Sequence, residues 1–497
     1  MAAEKNYLSE LFKVRGLEMP TSAQPMIGTG LVPVSSNEVQ VPGDERFMSS
    51  LAALLYNVEP IQDDVGQVRF DKGEVLKAVA RIDELIESQL NEILHHEKFQ
   101  QMEAAWRGLE DLVNNTNFQA DITIDLLDVG KEELAEDFEK NSSSIFSSAL
   151  FDKMYIKEYD QFGGRPYGVM LGLYDFSASR ADLTWLERMA TVANAAHCPF
   201  IAAASPKFFD CETVEQLESL KNLDGVLSHP RYSKWHELRD KEEAAYIGLT
   251  LPRYVVRLPW DPEKNPCDVL NFKEDAHGDS KKYLWGNSAF LMGRNLVKSF
   301  ELSGWCQSIR GPKSGGLVTG LPVDTFTLRG QKMIQAPVEI AIPDYREYEF
   351  ARNGFIPLVY RKSTGEAAFF STQSIKQARK FKDPKDSENS QLVTNLAYTF
   401  SITRLAHYVK SIMRDNIGST ADAGYVQRQL ESWLSGYVTT VTNPDDVTLR
   451  RFPFKAVSVQ VESRPGEIGW YDCKVAVLPH IQFEGLNVEL MLESRLG

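Results

Sequence analysis

The sequence is poor in the features that mark secretion, membrane insertion or nucleic-acid binding. It has five cysteines (Cys198, Cys211, Cys267, Cys306 and Cys473) in 497 residues. An odd number without CxxC spacing fits neither a disulfide framework nor a zinc ribbon, and a reducing cytoplasm is the expected setting. No stretch reaches the roughly 18 apolar residues needed to span a bilayer. The opening MAAEKNYLSELFKVRG lacks a basic region followed by an apolar one. The expectation is a soluble cytoplasmic protein with no direct membrane insertion. Positive charge is also scarce, with 54 Lys and Arg against 69 Asp and Glu and a net charge of −15. Counterion release at a phosphate backbone needs clustered cations, so nucleic acid is not an expected partner.

What is present is patterning, over a length that suits two to four domains at roughly 100–200 residues each. Leu8, Leu11 and Phe12 share one side of a short amphipathic helix over Tyr7 to Val14, and Glu18 to Asp44 is a Pro-, Gly- and Ser-rich linker. From Glu74 the spacing of Val75, Val79, Ile82, Ile86 and Ile93 predicts a helix. Phe99, Met102, Trp106 and Leu109 continue it after a break at His95-His96-Glu97, so the segment is one long helix or a helix pair. YGVMLGLY (Tyr167 to Tyr174), a helical stretch over Asp182 to His197 and FIAAA (Phe200 to Ala204) make a βαβ unit. Leu249 to Leu258, Ala336 to Ile342 and Ile356 to Tyr360 are further strand candidates, and the charged stretch Lys380 to Ser390 marks a boundary. Tyr398, Ile402, Leu405, Val409 and Ile412 then step as a helix that Gly418 would cap. Three segments of period two close the chain: Val457, Val459 and Val461; Tyr471, Cys473, Val475 and Val477; Val488, Leu490 and Leu492.

A search for chemistry finds little. In EILHHEKFQQMEAAWRGLEDLV, His95 and His96 stand about 100° apart around a helix, and the spacing that places two imidazoles on one face is absent. Trp106 falls on the apolar stripe and is expected in the core. The βαβ turn DFSASRAD has no glycine to admit a pyrophosphate, so Ser177, Ser179 and Asp182 read as turn and capping residues. GPKSGG (Gly311 to Gly316) lacks the GK[ST] ending of a phosphate loop and reads as a mobile or packed loop. No GxSxG elbow and no cysteine with nucleophile-like flanks is found. The expectation is no catalytic residue, no cofactor and no metal, which turns attention to surfaces. Arg404, His407, Ser411 and Arg414, with Lys410 nearby, form a cationic helix face that is either solvated or meets an acidic partner. The terminal strand Asn487 to Leu492 either closes its own sheet or pairs with another chain.

The stretches ILHHEKFQQMEAAWRGLEDLV, QFGGRPYGVMLGLYDF, HCPFIAAASPKFF, YIGLTLPRYVVRLPWDPEKNP, YLWGNSAF, GPKSGG, AAFFS, RLAHYVKSIMRDNIG and GWYDCKVAVLPHIQFEG run in order from about residue 74 to the end. Together they resemble the large sheath subunit of the bacterial type VI secretion system, the TssC/VipB family. The resemblance implies a non-enzymatic protein of mixed α/β (α+β) class with a contractile-tail-sheath-like fold. It implies a heterodimer with the small sheath subunit TssB/VipA, and helical stacking with other copies of itself around a tube of Hcp on a baseplate. It also implies recycling by the AAA+ ATPase ClpV.

Residue by residue, Leu8, Leu11 and Phe12 take the place of the ATPase-recognition helix. Val475, Val477, Ile481, Phe483, Val488 and Leu490 match strands interlaced between subunits, and Arg404, Lys410 and Arg414 are assigned to a tube or lattice contact. The implied organisation is a recognition helix (1–17), a linker (18–44), a helical region pairing with the small subunit (45–145), an α/β sheath domain (146–380) and a C-terminal sheath domain with a strand-exchange terminus (381–497). The alternatives are a nucleotide-binding α/β enzyme built on the βαβ unit and an adaptor that recruits an ATPase.

Overall fold

A computed structural model describes residues 60–62, 68–267, 270–276, 279–328, 330–417, 422–439, 441, 444–463 and 471–480. The chain forms two compact units. One holds the described residues of Met1–His96 with Pro259–Asp275, and the other holds Glu97–Leu258 with Ala276–Gly497.

In the first unit an antiparallel pair, β1 (Pro60–Gln62) and β2 (Val68–Phe70), leads into the long helix α1 (Lys72–Leu94). Asp71 starts that helix by accepting from the Gly73 N–H at 2.8 Å, which satisfies one of the amides left over at a helix N-terminus. At the other end Asn91 clasps the returning segment. Its amide donates to the Lys273 carbonyl at 3.3 Å and accepts from the Asp275 N–H at 2.8 Å. One turn on, the His95 Nε2 lies 3.3 Å from the buried carboxylate of Glu274. His95 therefore packs against an acid within its own unit.

The second unit begins with α2 (Glu97–Asn114) and α3 (Lys131–Lys140), then a π-helical segment over Asp152–Tyr159. β3 (Met170–Phe176), α4 (Arg180–Ala195) and β4 (Phe200–Ala204) make the βαβ unit, with Ser179 capping α4 through a 3.1 Å bond from the Asp182 N–H. Three short helices follow, α5 (Val214–Ser219), α6 (Leu223–Leu227) and α7 (Ser233–Arg239), and then β5 (Ile247–Leu251), β6 (Tyr254–Val255) and β7 (Trp285–Gly286). After α8 (Ala289–Ser303) come β8 (Leu317–Val318), β9 (Asp324–Leu328), β10 (Gln331–Gln335), α9 (Asp344–Arg352), β11 (Ile356–Tyr360) and β12 (Ala367–Phe369). The chain continues through α10 (Pro384–Val393), α11 (Leu396–Asp415), α12 (Ala423–Ser435) and α13 (Asp446–Arg451) into β13 (Phe454–Ser463) and β14 (Tyr471–Pro479).

The main sheet has six strands in the order β3-β4-β5-β11-β12-β8, parallel from β3 to β11 and antiparallel beyond. Both faces are covered, and β4 shows why FIAAA is an unbroken apolar run. Phe200, Ala202 and Ala204 enter one core with α4, whereas Ile201 enters the other with α8 and α11.

Several sequence expectations change here. The strand expected over Leu249 to Leu258 is interrupted after Leu251, because Pro252 has no N–H to give to a ladder. The strand expected over Ala336 to Ile342 is only a single bridge at Val338, while the real pairing lies upstream in the β9–β10 hairpin. The break at His95-His96 is genuine, since two helices meet there. GPKSGG is a packed loop, with the Gly311 N–H donating to the Phe369 carbonyl at 2.7 Å and the Phe369 N–H returning to Gly316 at 3.0 Å.

Trp106 is the clearest correction. It is 63% exposed, because α2 buries its small-residue face of Ala104, Gly108 and Leu112 instead. The ring of Phe290 on α8 lies so close to Gly108 that a Cβ there would stand 2.4 Å from it. Backbone approach at Gly108 thus decides which face of α2 turns inward, and Trp106 goes outward. Arg257 reinforces the choice with two bonds to Glu103, at 2.7 and 3.1 Å. Burial alone would push the Glu103 carboxyl up, but Arg257 and Arg107 hold it below the usual carboxylate range. Gly108→Val is therefore expected to force α2 off α8 at a cost of about 1–3 kcal/mol, read as a lower denaturant midpoint. An unchanged midpoint would show that this contact is slack.

Candidate assembly surface

α11 has 20 residues, which makes it about 30 Å long, and it belongs to two cores. Its first turns, with Leu396, Ala397 and Phe400, pack beneath the main sheet. Its later turns, with Leu405, Val409, Ile412 and Met413, pack against α12 and the β13–β14 ribbon. Asn395 starts the helix by accepting from the Ala397 N–H at 3.0 Å. An aromatic cluster joins the same parts from the side: the Trp305 ring lies 6.4 Å from Tyr408 on α11, 5.2 Å from Tyr437 and 5.3 Å from Phe454 at the start of β13.

The cationic face of α11 has partners within the chain. The Lys410 ammonium lies 2.7 Å from Asp160 and 3.7 Å from the centre of the Tyr159 ring. Arg414 donates to the backbone carbonyls of Tyr159 and Gln161 at 3.0 and 2.8 Å. The Arg404 guanidinium lies 4.2 Å over the Phe300 ring and bonds the Tyr408 hydroxyl. His407 faces the Ala196 carbonyl at 3.2 Å, with His197 beside it, and His197 in turn meets the Tyr246 hydroxyl at 3.2 Å. This face seats α11 on the π-helical segment and the end of α4.

The terminal ribbon is a clean two-residue alternation. Val457 pairs with Val477, Val459 with Val475 and Val461 with Cys473, and this face lies on α12 and α11. Ser458, Gln460, Glu462, Asp472 and Lys474 alternate with them on the other side. Among the described residues, β13 is engaged at its outer edge near Phe454, which bonds Tyr437 and Thr439, and at Val461, whose N–H reaches Gln427. β14 has β13 as its one strand neighbour among the described residues. A two-stranded ribbon is marginal alone, and here the helices supply its stability. Among the described residues no third strand joins the ribbon, and a strand edge of this kind is a template for another strand.

Comparison with known proteins decides what such a surface belongs to. The tail sheath N-terminal domain of the VipB (EvpB/VC_A0108) family matches residues 76–376, and its gpW/gp25-like domain matches residues 385–496. The chain belongs to the VipB tail sheath family. It is 42% identical over 422 residues to the type VI secretion system sheath protein TssC1 of Pseudomonas aeruginosa, covering 84% of this chain and 85% of that one. Solved structures with weak likeness include the anti-feeding prophage baseplate (10% identity, TM-score 0.34, 63% of this chain and 66% of that one). The contracted helical sheath of the same particle gives 10% identity and a TM-score of 0.30, over 62% of this chain and 67% of that one.

Within this VipB-family chain, Val475 and Val477 sit on β14 with their side chains toward α12. Ile481, Phe483, Val488 and Leu490 lie outside the described residues, as do Leu8, Leu11 and Phe12 and the expected cap Gly418. Among the described residues no group of three or more His, Cys, Asp or Glu could hold a metal ion, and no helix is long and apolar enough to cross a membrane. Sequence reasoning missed two apolar surfaces. α1 buries none of its residues and exposes Leu76, Val79, Ile82, Leu85, Ile86 and Ile93, and α2 separately exposes Met102, Trp106 and Val113. The signal was present as helical periodicity, but periodicity does not say whether a stripe meets the chain's own core or another molecule.

The seat of α11 carries a pH dependence. Burial, with His197 and Arg404 adding to it, pushes the His407 imidazole down to about 4, and burial with Lys410 lowers His197 as well. Arg414, Asp160 and the hydroxyls of Tyr159 and Tyr246 complete the charged and titratable surroundings. The unfolded imidazole takes up a proton near its ordinary value of 6.5, so between there and about 4 the unfolded chain binds more protons than the folded one. Stability is full above that window and falls through it as pH drops, by on the order of 3 kcal/mol for His407. His407→Gln, which keeps an N–H for Ala196 and cannot ionise, is expected to flatten the fall between about pH 7 and about pH 5 in denaturant midpoints. Parallel curves for variant and parent would refute it.

Proposed function

We propose that this protein is the large structural subunit of a type VI secretion contractile sheath in the bacterial cytoplasm. It forms a heterodimer with the small sheath subunit, polymerises helically on a baseplate around a Hcp tube, and contracts to propel that tube without catalysing a reaction itself. The observation that carries the reading is the β13–β14 ribbon, a strand pair seated on helices and joined by no third strand among the described residues, in a chain of the tail sheath family. A strand from a neighbouring copy adding to the ribbon gives main-chain hydrogen bonds that persist while side-chain contacts between copies break and remake. Val475, Val477, Ile481, Phe483, Val488 and Leu490 are the interlaced residues in this reading. A contact repeated without closure generates an open helix, the form a sheath needs.

The exposed apolar residues of α1 and α2 fall within residues 45–145, and this reading gives them to the small subunit. Leu8, Leu11 and Phe12 remain the residues proposed for recognition by a ClpV-type ATPase. Arg404, Lys410 and Arg414 remain the residues proposed for a contact with the tube or the lattice, and their bonds within the chain, Lys410 and Arg414 to residues 159–161 and Arg404 to Phe300 and Tyr408, set the angle at which α11 presents them.

Co-expression with the small subunit, followed by size exclusion and negative-stain microscopy, tests this. The intact pair is expected to form tubules. Deletion of Asn487 to Gly497 is expected to leave a folded heterodimer that forms none, and tubules from the truncated chain would overturn the strand-exchange mechanism. Only discrete soluble complexes from the intact pair would overturn the sheath reading.

A further inference from the structure

The β9–β10 hairpin stands out from the second unit as an arm. The two strands pair only with each other among the described residues, from Asp324 with Gln335 to Leu328 with Gln331. Gly330, at a φ of 79°, makes the turn that a residue with a Cβ would resist. Met333 and Ile334 lie on opposite faces of the ribbon and are 43% and 54% exposed. From Thr325 to Gln335 the arm carries Arg329 and Lys332 and no acid, on a chain whose net charge is −15.

A receptor of opposite character lies a few residues along the chain. A cleft of about 190 Å³ is lined by Leu217, Ile340, Ile342, Pro343, Tyr345 and Phe350. Tyr345 and Tyr348 stand on successive turns of α9, 67% and 64% exposed. The exposed acids Glu215, Glu218 and Asp344 stand on α5 and α9, the helices that border the cleft, whereas its Arg346 is already matched by Glu349 at 2.9 Å. Aromatic residues around a concavity with a charged rim are what well-packed interfaces use as anchors.

Among the described residues, the arm contributes none to the lining of its own cleft. Its base is fixed by the Tyr283 hydroxyl, which donates to Asp324 at 2.9 Å. The link from arm to cleft is pinned as well, with Val255 N–H bonding Pro337 at 2.9 Å and Glu339 N–H bonding Arg253 at 3.0 Å. We infer that the β9–β10 arm of one copy docks in the α9 cleft of another copy, Met333 or Ile334 filling the concavity, with the arm's net positive charge complementary to the acidic rim. This contact is heterologous, so it can repeat along an open polymer. It rests on the sheath reading and adds to it a second, side-chain contact between copies.

The test uses the co-expressed pair. The double variant Met333→Asp/Ile334→Asp and, separately, Tyr345→Asp/Tyr348→Asp are expected to keep the heterodimer by size exclusion and to lower tubule yield at least tenfold. In tubules assembled from two differently tagged chains, one carrying Met333→Cys and the other Tyr345→Cys, mild oxidation is expected to link the two tags, with chains carrying either change alone as controls. Normal tubules from the Asp variants, or a link from Met333→Cys to the small subunit, would overturn the contact while leaving the sheath reading in place. Failure of the unsubstituted pair to form tubules would overturn both.

Discussion

The second unit depends on one helix being shared. α11 begins in the core of the main sheet and ends in the core of the terminal ribbon, so neither can pack without fixing the direction of the other. The helix transmits that direction because its hydrogen bonds resist bending over about 30 Å. Its polar side is held too, by Lys410 on Asp160 and Tyr159, by Arg414 on two backbone carbonyls and by His407 on Ala196. Trp305 closes the arrangement by touching Tyr408, Tyr437 and Phe454 at once. The ribbon is thus presented at a set angle from the body.

Such rigidity suits a protein that works by position. A ribbon free to swing would lose, on each pairing with a neighbour, the entropy that this seating has already removed. The surfaces exposed among the described residues have a common character: a ribbon, β13–β14, that no third strand joins, apolar residues along α1, a tryptophan and a methionine on α2, and an arm with apolar residues on both faces. Exposed apolar groups of this extent cost free energy in water and regain it when covered. They fit a subunit whose folding is completed by assembly.

Much of the fold was legible in the residues. Unbroken apolar runs marked β4 and β11 because strands buried on both faces have no polar side to show, and strict alternation marked β13 and β14 because theirs is buried on one. The helix break at His95-His96 and the cap at Ser179 were local features, and local features are written in local sequence. Two features lay beyond local sequence. Trp106 was expected inside since hydrophobicity alone ranks it there, yet Gly108 under Phe290 sets the inward face by closeness of approach. The cationic stripe of α11 was expected to be wet or to meet an acidic partner, and the structure adds that Lys410 and Arg414 bond to Asp160, Tyr159 and Gln161, about 250 residues earlier.

By itself the sequence determined the long helices, the buried strands β4 and β11 and the alternating ribbon β13–β14 and, through long collinear motifs, the family to which the chain belongs, because periodicity and motif order are properties of neighbouring residues. Only the tertiary structure decided which face of each helix turns inward, where the charges of α11 find their partners, and that strand pairing falls in the β9–β10 hairpin and not over Ala336 to Ile342. The first two outcomes are set by contacts between residues far apart in the chain, where close packing lets a single methyl group settle which side of a helix is buried.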